Sequence, residues 1–131
     1  MLLLDQITRF EPKGGPWGRG YLRAENIIPS DAWYLTCHFK NDPCMPGTLM
    51  SDACLQALAF YMTAMGHTLK RDGWRFDPVP DEVYHIKCRG QVTPKSQNLS
   101  YELFVEEIID GPCPTIYGDI LGTCDGLKIL H

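Results

Sequence analysis

The sequence predicts an α+β domain in which an antiparallel sheet wraps one long central helix. Three observations carry that expectation. From Leu49 to His67 the apolar residues Leu49, Ala53, Ala57, Phe60, Tyr61 and Ala64 recur at spacings of three and four, with no proline and no glycine before Gly66. The period then falls to two: Tyr84, Ile86, Cys88, Gly90 and Val92 alternate with His85, Lys87, Arg89 and Gln91, and Leu99, Tyr101, Leu103 and Val105 with Ser100, Glu102, Phe104 and Glu106. The 131 residues, 44% hydrophobic and 21% charged, suit a single domain with one core.

The elements follow in chain order. Leu2 to Phe10 reads as a strand, stopped by the dense turn signal Pro12-Lys13-Gly14-Gly15-Pro16-Trp17-Gly18, which predicts a hairpin. Gly20 to Ile28 returns as the second strand and ends at Pro29, which has no backbone donor. Ser30 to Cys37 opens with a helical turn for which Ser30 is the expected cap. The Leu49–His67 helix carries a single formal charge, Asp52, and so is expected to be buried on nearly all sides. Lys70 to Glu82, with Asp72-Gly73, Pro78 and Pro80, is a loop. Two half-buried strands follow, then a break at Gly111-Pro112-Cys113-Pro114, a strand from Thr115 to Thr123, and the start of a last one at Leu127–Leu130.

Composition excludes several classes of function. A net charge of -4, with Lys70-Arg71 the longest basic cluster, argues against nucleic-acid binding. No apolar run reaches the roughly 18 residues of a membrane span. Met1-Leu2-Leu3-Leu4 is cut short by Asp5, so neither a signal peptide nor an anchor is expected. Six cysteines in a chain with this much apolar material read as free thiols, which points to the cytoplasm.

The chemistry concentrates between His38 and Asp52, where a proline-stiffened loop runs straight into the apolar helix. Gly47 lets the backbone approach a ligand closely, and the unpaired N–H groups of a first helical turn form a natural oxyanion site. Asp52 follows within about the first turn, where the dipole favours a carboxylate and burial favours its protonated form. Histidine is the side chain that exchanges its proton near neutrality, so His38 suits a base. One base, one acid and an oxyanion site make a minimal set for removing a proton beside a carbonyl and expelling a β-hydroxyl. Taken singly, His38 reads as a structural hydrogen-bonder and Asp52 as a dipole partner. Cys37, His38, Asp42 and Cys44 lack the paired spacing of a metal site. A Cys37–His38 nucleophile pair fails because neighbours on an extended segment point to opposite faces.

From His38 to Ala53 the sequence matches His-Phe-x-x-Asp-Pro-x-Met-Pro-Gly-x-Leu-x-x-Asp-Ala at every fixed position. With that run it resembles the 3-hydroxyacyl-carrier-protein dehydratases of the hotdog fold, in which six or seven antiparallel strands wrap one helix. The resemblance implies His38 as catalytic base, Asp52 as catalytic acid and the Gly47 N–H as the group that polarises the thioester carbonyl. It implies Phe39, Met45, Pro46, Thr48, Leu49 and Gln56 along the substrate, no metal, and no cofactor beyond the phosphopantetheine of an acyl carrier protein. It also implies a two-fold dimer or pseudo-dimer, with His38 of one copy facing the acid of the other. Asp rather than Glu at position 52 is similar to the branch that includes the bifunctional dehydratase/isomerase, although isomerase activity does not transfer with the motif. Arg71-Asp72-Gly73-Trp74-Arg75-Phe76 looks more like dehydratase domains of polyketide or polyunsaturated fatty acid synthases, so residues 1–131 are expected to be one domain of a larger polypeptide. Carrier proteins are acidic, and docking one on an acidic domain requires a local basic patch. Lys70, Arg71 and Arg75 are the first candidates, Lys87 and Arg89 the next. Competing readings are a hotdog thioesterase and a non-catalytic acyl-binding domain.

Overall fold

The computed structural model describes residues 1–131. Its strands are set by their turns. Gly15 and Gly18 both take positive φ, which lets the loop fold back and close β1 (Gln6–Glu11) on β2 (Tyr21–Ile27) in antiparallel register, with a bulge between Ile7 and Arg9. Asp125 and Gly126, at φ 47 and 84, form a two-residue turn that joins β4 (Thr115–Cys124) to β5 (Leu127–Leu130). Between these hairpins lies the longest strand, β3 (Asn98–Ile109), and the five run antiparallel in the order β1-β2-β3-β4-β5. Two helices, α1 (Trp33–Cys37) and α2 (Gly47–Ala64), occupy the connection from β2 to β3.

The core lies between α2 and one face of this sheet. Leu22 and Ala24 of β2 and Leu99, Tyr101, Leu103 and Val105 of β3 point to that face and are sealed from solvent. Onto them α2 lays Met50, Ala53, Ala57 and Tyr61, a stripe at spacings of three and four. Each buried Leu or Met here contributes roughly 1.5–3 kcal/mol. The two alanines keep the helix close to the strands, and at the far end the Tyr61 ring lies over Gly20, where any side chain would collide with its hydroxyl. That hydroxyl donates to the Arg19 carbonyl at 3.3 Å.

Four expectations change. The stretch from Tyr84 to Val92 is not a strand: Cys88 makes one bridge to Leu130, and Lys87 and Arg89 bond the backbone of His131 and Ile129. A partner of only four residues is too short to hold a full ladder, so this sixth member of the sheet remains an extended edge segment with Tyr84 and Ile86 exposed. The helix is not buried all round, because the sheet covers one stripe and leaves Leu55 46% and Phe60 44% exposed. Ser30 caps nothing; α1 begins after Ala32, without a side-chain cap. The first strand starts at Gln6, and Leu3 and Leu4 are buried ahead of it. No helix is long and apolar enough to cross a membrane.

One buried polar atom is left over. The Tyr101 hydroxyl has no hydrogen-bond partner, and burial pushes its pKa well above the ordinary phenol range. An unpaired buried hydroxyl costs about 1–3 kcal/mol, whereas an apolar group of the same shape does not. Tyr101→Phe is therefore expected to raise stability by about 1 kcal/mol, read as a higher urea midpoint at unchanged slope.

Candidate active site

His38 closes α1, its backbone N–H reaching the Tyr34 carbonyl at 3.0 Å. The loop beyond is stapled by its own backbone: Phe39 and Asp42 exchange N–H···O bonds at 3.1 and 3.2 Å, Cys44 N–H bonds the His38 carbonyl at 2.7 Å, and Met45 N–H bonds the Val92 carbonyl at 2.8 Å. Asn41 takes φ 68 at the tip, and the His38–Phe39 peptide is cis. The staple brings the Cys44 carbonyl to 2.9 Å from His38 Nδ1. A carbonyl can only accept, so Nδ1 carries the proton and Nε2 presents its lone pair. That nitrogen is equipped to take a proton. The Cys44 thiol, buried, lies 3.6 Å from Nδ1, and the exposed Phe39 ring stacks on the imidazole at 3.9 Å between centroids.

The loop delivers the chain to α2 through Pro46, whose φ of -57° suits a helix entry. The Pro46 carbonyl accepts from Leu49 and Met50, and no side chain caps the end. The N–H groups of Gly47 and Thr48 therefore have no backbone partner, and they sit at the positive end of an 18-residue helix. A methyl group on Gly47 would come within 3.1 Å of the Cys88 Sγ, so the edge segment closes over the helix start and glycine is what fits there.

Asp52 lies in the second turn rather than the first, and it is exposed. The burial expected around its carboxyl is thus absent within one chain. Its Oδ2 accepts from Gln56 Nε2 at 3.1 Å, and Gln56 also bonds the Met1 carbonyl and the Leu3 N–H, both at 2.9 Å. Gln56 is a bracket between the N-terminal segment and Asp52, a role its sequence neighbours do not signal. Met45 is 4% exposed and belongs to the core, which makes it a packing residue in this chain. Pro46 and Leu49 are half-buried and Thr48 is exposed.

His38 stands on the loop that leads into α2 and Asp52 in its second turn, and no hydrogen bond or ion pair joins them. Two surface depressions, of about 690 and 470 Å³, include neither residue. Sequence reasoning passed over Cys88 and Cys54 as members of this neighbourhood. The only signal was the alternation that puts Cys88 on the opposite face from Arg89, together with the seven-residue step from Gly47 to Cys54 along one helix face.

An antiparallel sheet laid along one long helix is the arrangement of the hotdog fold. Residues 1–131 match the FabA-like domain family. The chain is also similar to one of the subunits of the polyunsaturated fatty acid synthase of Thraustochytrium sp., with 37% identity over 108 residues. That match covers 82% of this chain and 7% of the relative, so the chain spans a small part of that protein's length. The chain belongs to the FabA-like family.

Burial pushes the Cys54 thiol up to about 12, with Cys88 adding to the effect. At pH 8 its thiolate fraction is about one in ten thousand, and the thiolate is the reactive form. Brief iodoacetamide treatment of the folded protein, followed by peptide mass spectrometry, is expected to label the exposed Cys37, Cys88 and Cys113 and to spare Cys54.

Proposed function

We propose that this domain removes water from a 3-hydroxyacyl chain held as a thioester on the phosphopantetheine of an acyl carrier protein, giving the 2-enoyl thioester. The setting is fatty acid or polyketide-type synthesis by a larger polypeptide, which the similarity to a polyunsaturated fatty acid synthase supports. The observation that carries the reading is the 2.9 Å bond from His38 Nδ1 to the Cys44 carbonyl, because it leaves Nε2 as an oriented base.

The residues divide the work as follows. His38 Nε2 takes a proton from C2. The charge that flows into the thioester oxygen is held by the free N–H of Gly47, with the helix dipole behind it. Asp52, carrying a proton, gives it to the C3 hydroxyl, which leaves as water while the C2–C3 double bond forms. Gln56 holds the Asp52 carboxyl in position from the side. Phe39 and Thr48, exposed at the rim, contact the thioester arm.

The active unit is a two-fold dimer, or a pseudo-dimer with a second hotdog domain. Two observations support this. No hydrogen bond or ion pair joins His38 to Asp52 within one chain, and α2 leaves Leu55 on the side away from the sheet and Phe60 beside it uncovered. Covering that side brings His38 of one copy to Asp52 of the other and removes water from the carboxyl.

His38→Ala and Asp52→Asn are each expected to lower dehydration at least about a hundredfold while the fold stays intact, and the double variant to lose little more. The measurement is mass spectrometry of 3-hydroxyacyl carrier-protein substrates. Near-normal turnover by either folded variant sinks the assignment, and release of free acid instead of the enoyl product favours a thioesterase. Mixing the two inactive variants is a separate check. If each site takes one residue from each copy, random pairing restores roughly a quarter of wild-type activity, whereas a site within one chain restores none.

A further inference from the structure

The face of the sheet turned away from α2 carries charge of both signs, divided by the exposed ring of Trp17. On one side lies the depression of about 690 Å³, lined by Glu82, Glu106 and Glu107 with Arg19 as the sole cation. Arg19 spends its guanidinium on the Glu106 backbone carbonyl at 2.6 Å. On the other side lies the groove of about 470 Å³, where Arg89, Lys128 and His131 stand with Asp119 as the sole acid, over a floor that includes Leu121 and Phe104. Asp119 faces His131 at 3.9 Å, so Arg89 and Lys128 are left without an ion-pair partner.

The cations after the helix are in a different state. Arg71 donates to the His67 carbonyl at 2.7 Å and to the Gly111 carbonyl at 3.3 Å, and its guanidinium lies 5.5 Å from the centre of the Trp74 ring. Arg75 is paired with Asp77 at 2.9 Å. Of the basic patch expected at Lys70, Arg71 and Arg75, only Lys70 is uncommitted. Arg89 and Lys128 line one groove, and neither has an ion-pair partner.

We propose that the Arg89–Lys128 groove is the docking surface for the carboxylate-rich face of the acyl carrier protein. The inference rests on the dehydratase reading above and adds to it the place and orientation of the partner. Two unpaired cations lining one groove favour an anionic surface over it, and an acidic partner is steered to them at a distance. The neighbouring acidic depression repels the same partner, so the two fields together admit it in one orientation. Trp17, Leu121 and Phe104 give the dock an apolar contact once water leaves. The groove is also connected to the site. Adjacent residues of an extended segment point to opposite faces, so Arg89 turns to the groove while Cys88, one residue earlier, turns its Sγ to Gly47. A carrier seated at Arg89 stands one sheet edge away from the start of α2, and its flexible arm passes round that edge.

The test compares one acyl group on three carriers: the carrier protein, free phosphopantetheine, and pantetheine without the phosphate. With Arg89→Glu/Lys128→Glu in the full chain, kcat/KM on the carrier-protein substrate is expected to fall at least about tenfold and to lose its salt dependence. Turnover of both small thioesters stays at the wild-type level. Arg89→Gln/Lys128→Gln gives a smaller loss of the same kind and guards against misfolding, with thermal melts alongside. Lys95→Glu, at an exposed position outside the groove, changes nothing. Unchanged carrier-protein turnover in the reversal variant overturns the docking surface while leaving the dehydratase reading in place. An equal loss on phosphopantetheine also overturns it, since the groove would then hold the phosphate rather than the protein. Wild-type protein that dehydrates none of the three overturns the dehydratase reading, and the docking inference falls with it.

Discussion

The close approach of α2 to β2 and β3 at Ala53 and Ala57 governs the rest of the molecule. Both alanines are sealed from solvent against a floor of Leu22, Ala24, Tyr101 and Leu103. A larger side chain at either point would push the helix off the sheet, because a packed interior has no slack to absorb extra methylenes. With the helix seated at its middle, its two ends are fixed. One carries Tyr61 over Gly20, and the other presents Gly47 to the loop that returns from His38. Gly47 and Asp52 therefore inherit their placement from this apolar contact. This explains how an uncapped helix start can persist: packing holds the helix, so its first N–H groups are free to face a substrate.

The orientation of His38 comes from backbone alone. In many acid–base sites a carboxylate fixes the imidazole tautomer and also stabilises its charged form. Here the Cys44 carbonyl does the first task and supplies only a dipole for the second. The staple of loop bonds around Asp42 and Cys44 makes this possible without a third ionisable residue.

What the sequence revealed depended on whether periodicity and burial coincide inside one chain. In β3 they do: Leu99, Tyr101, Leu103 and Val105 alternate in sequence and are all buried in the fold. In the Tyr84–Val92 segment the same alternation misleads, since the pattern encodes a place at the sheet's edge but not a partner long enough to secure it. The lack of charge along α2 was legible, yet a sequence does not distinguish an apolar face covered by its own sheet from one left open, as at Leu55 and Phe60. The run from His38 to Ala53 pointed to the family without any geometry. The bracket made by Gln56 was out of reach, because its partners at Met1 and Leu3 lie more than fifty positions away and use backbone atoms, which carry no residue signature. The tautomer of His38 was hidden for the same reason.

That bracket ties the competence of the site to the state of the first three residues. Gln56 holds Asp52 with the amide that also bonds Met1, while its carbonyl oxygen receives Leu3. Detaching the N-terminal segment frees the amide to rotate and releases the carboxyl to several rotamers. If only the docked form is productive, observed turnover scales with the docked fraction, and anything that shifts that equilibrium acts as a modulator of rate. Leu3 and Leu4, buried in the core, hold the segment docked. A partner or a preceding segment that drew on these two leucines would turn the enzyme down without approaching its substrate.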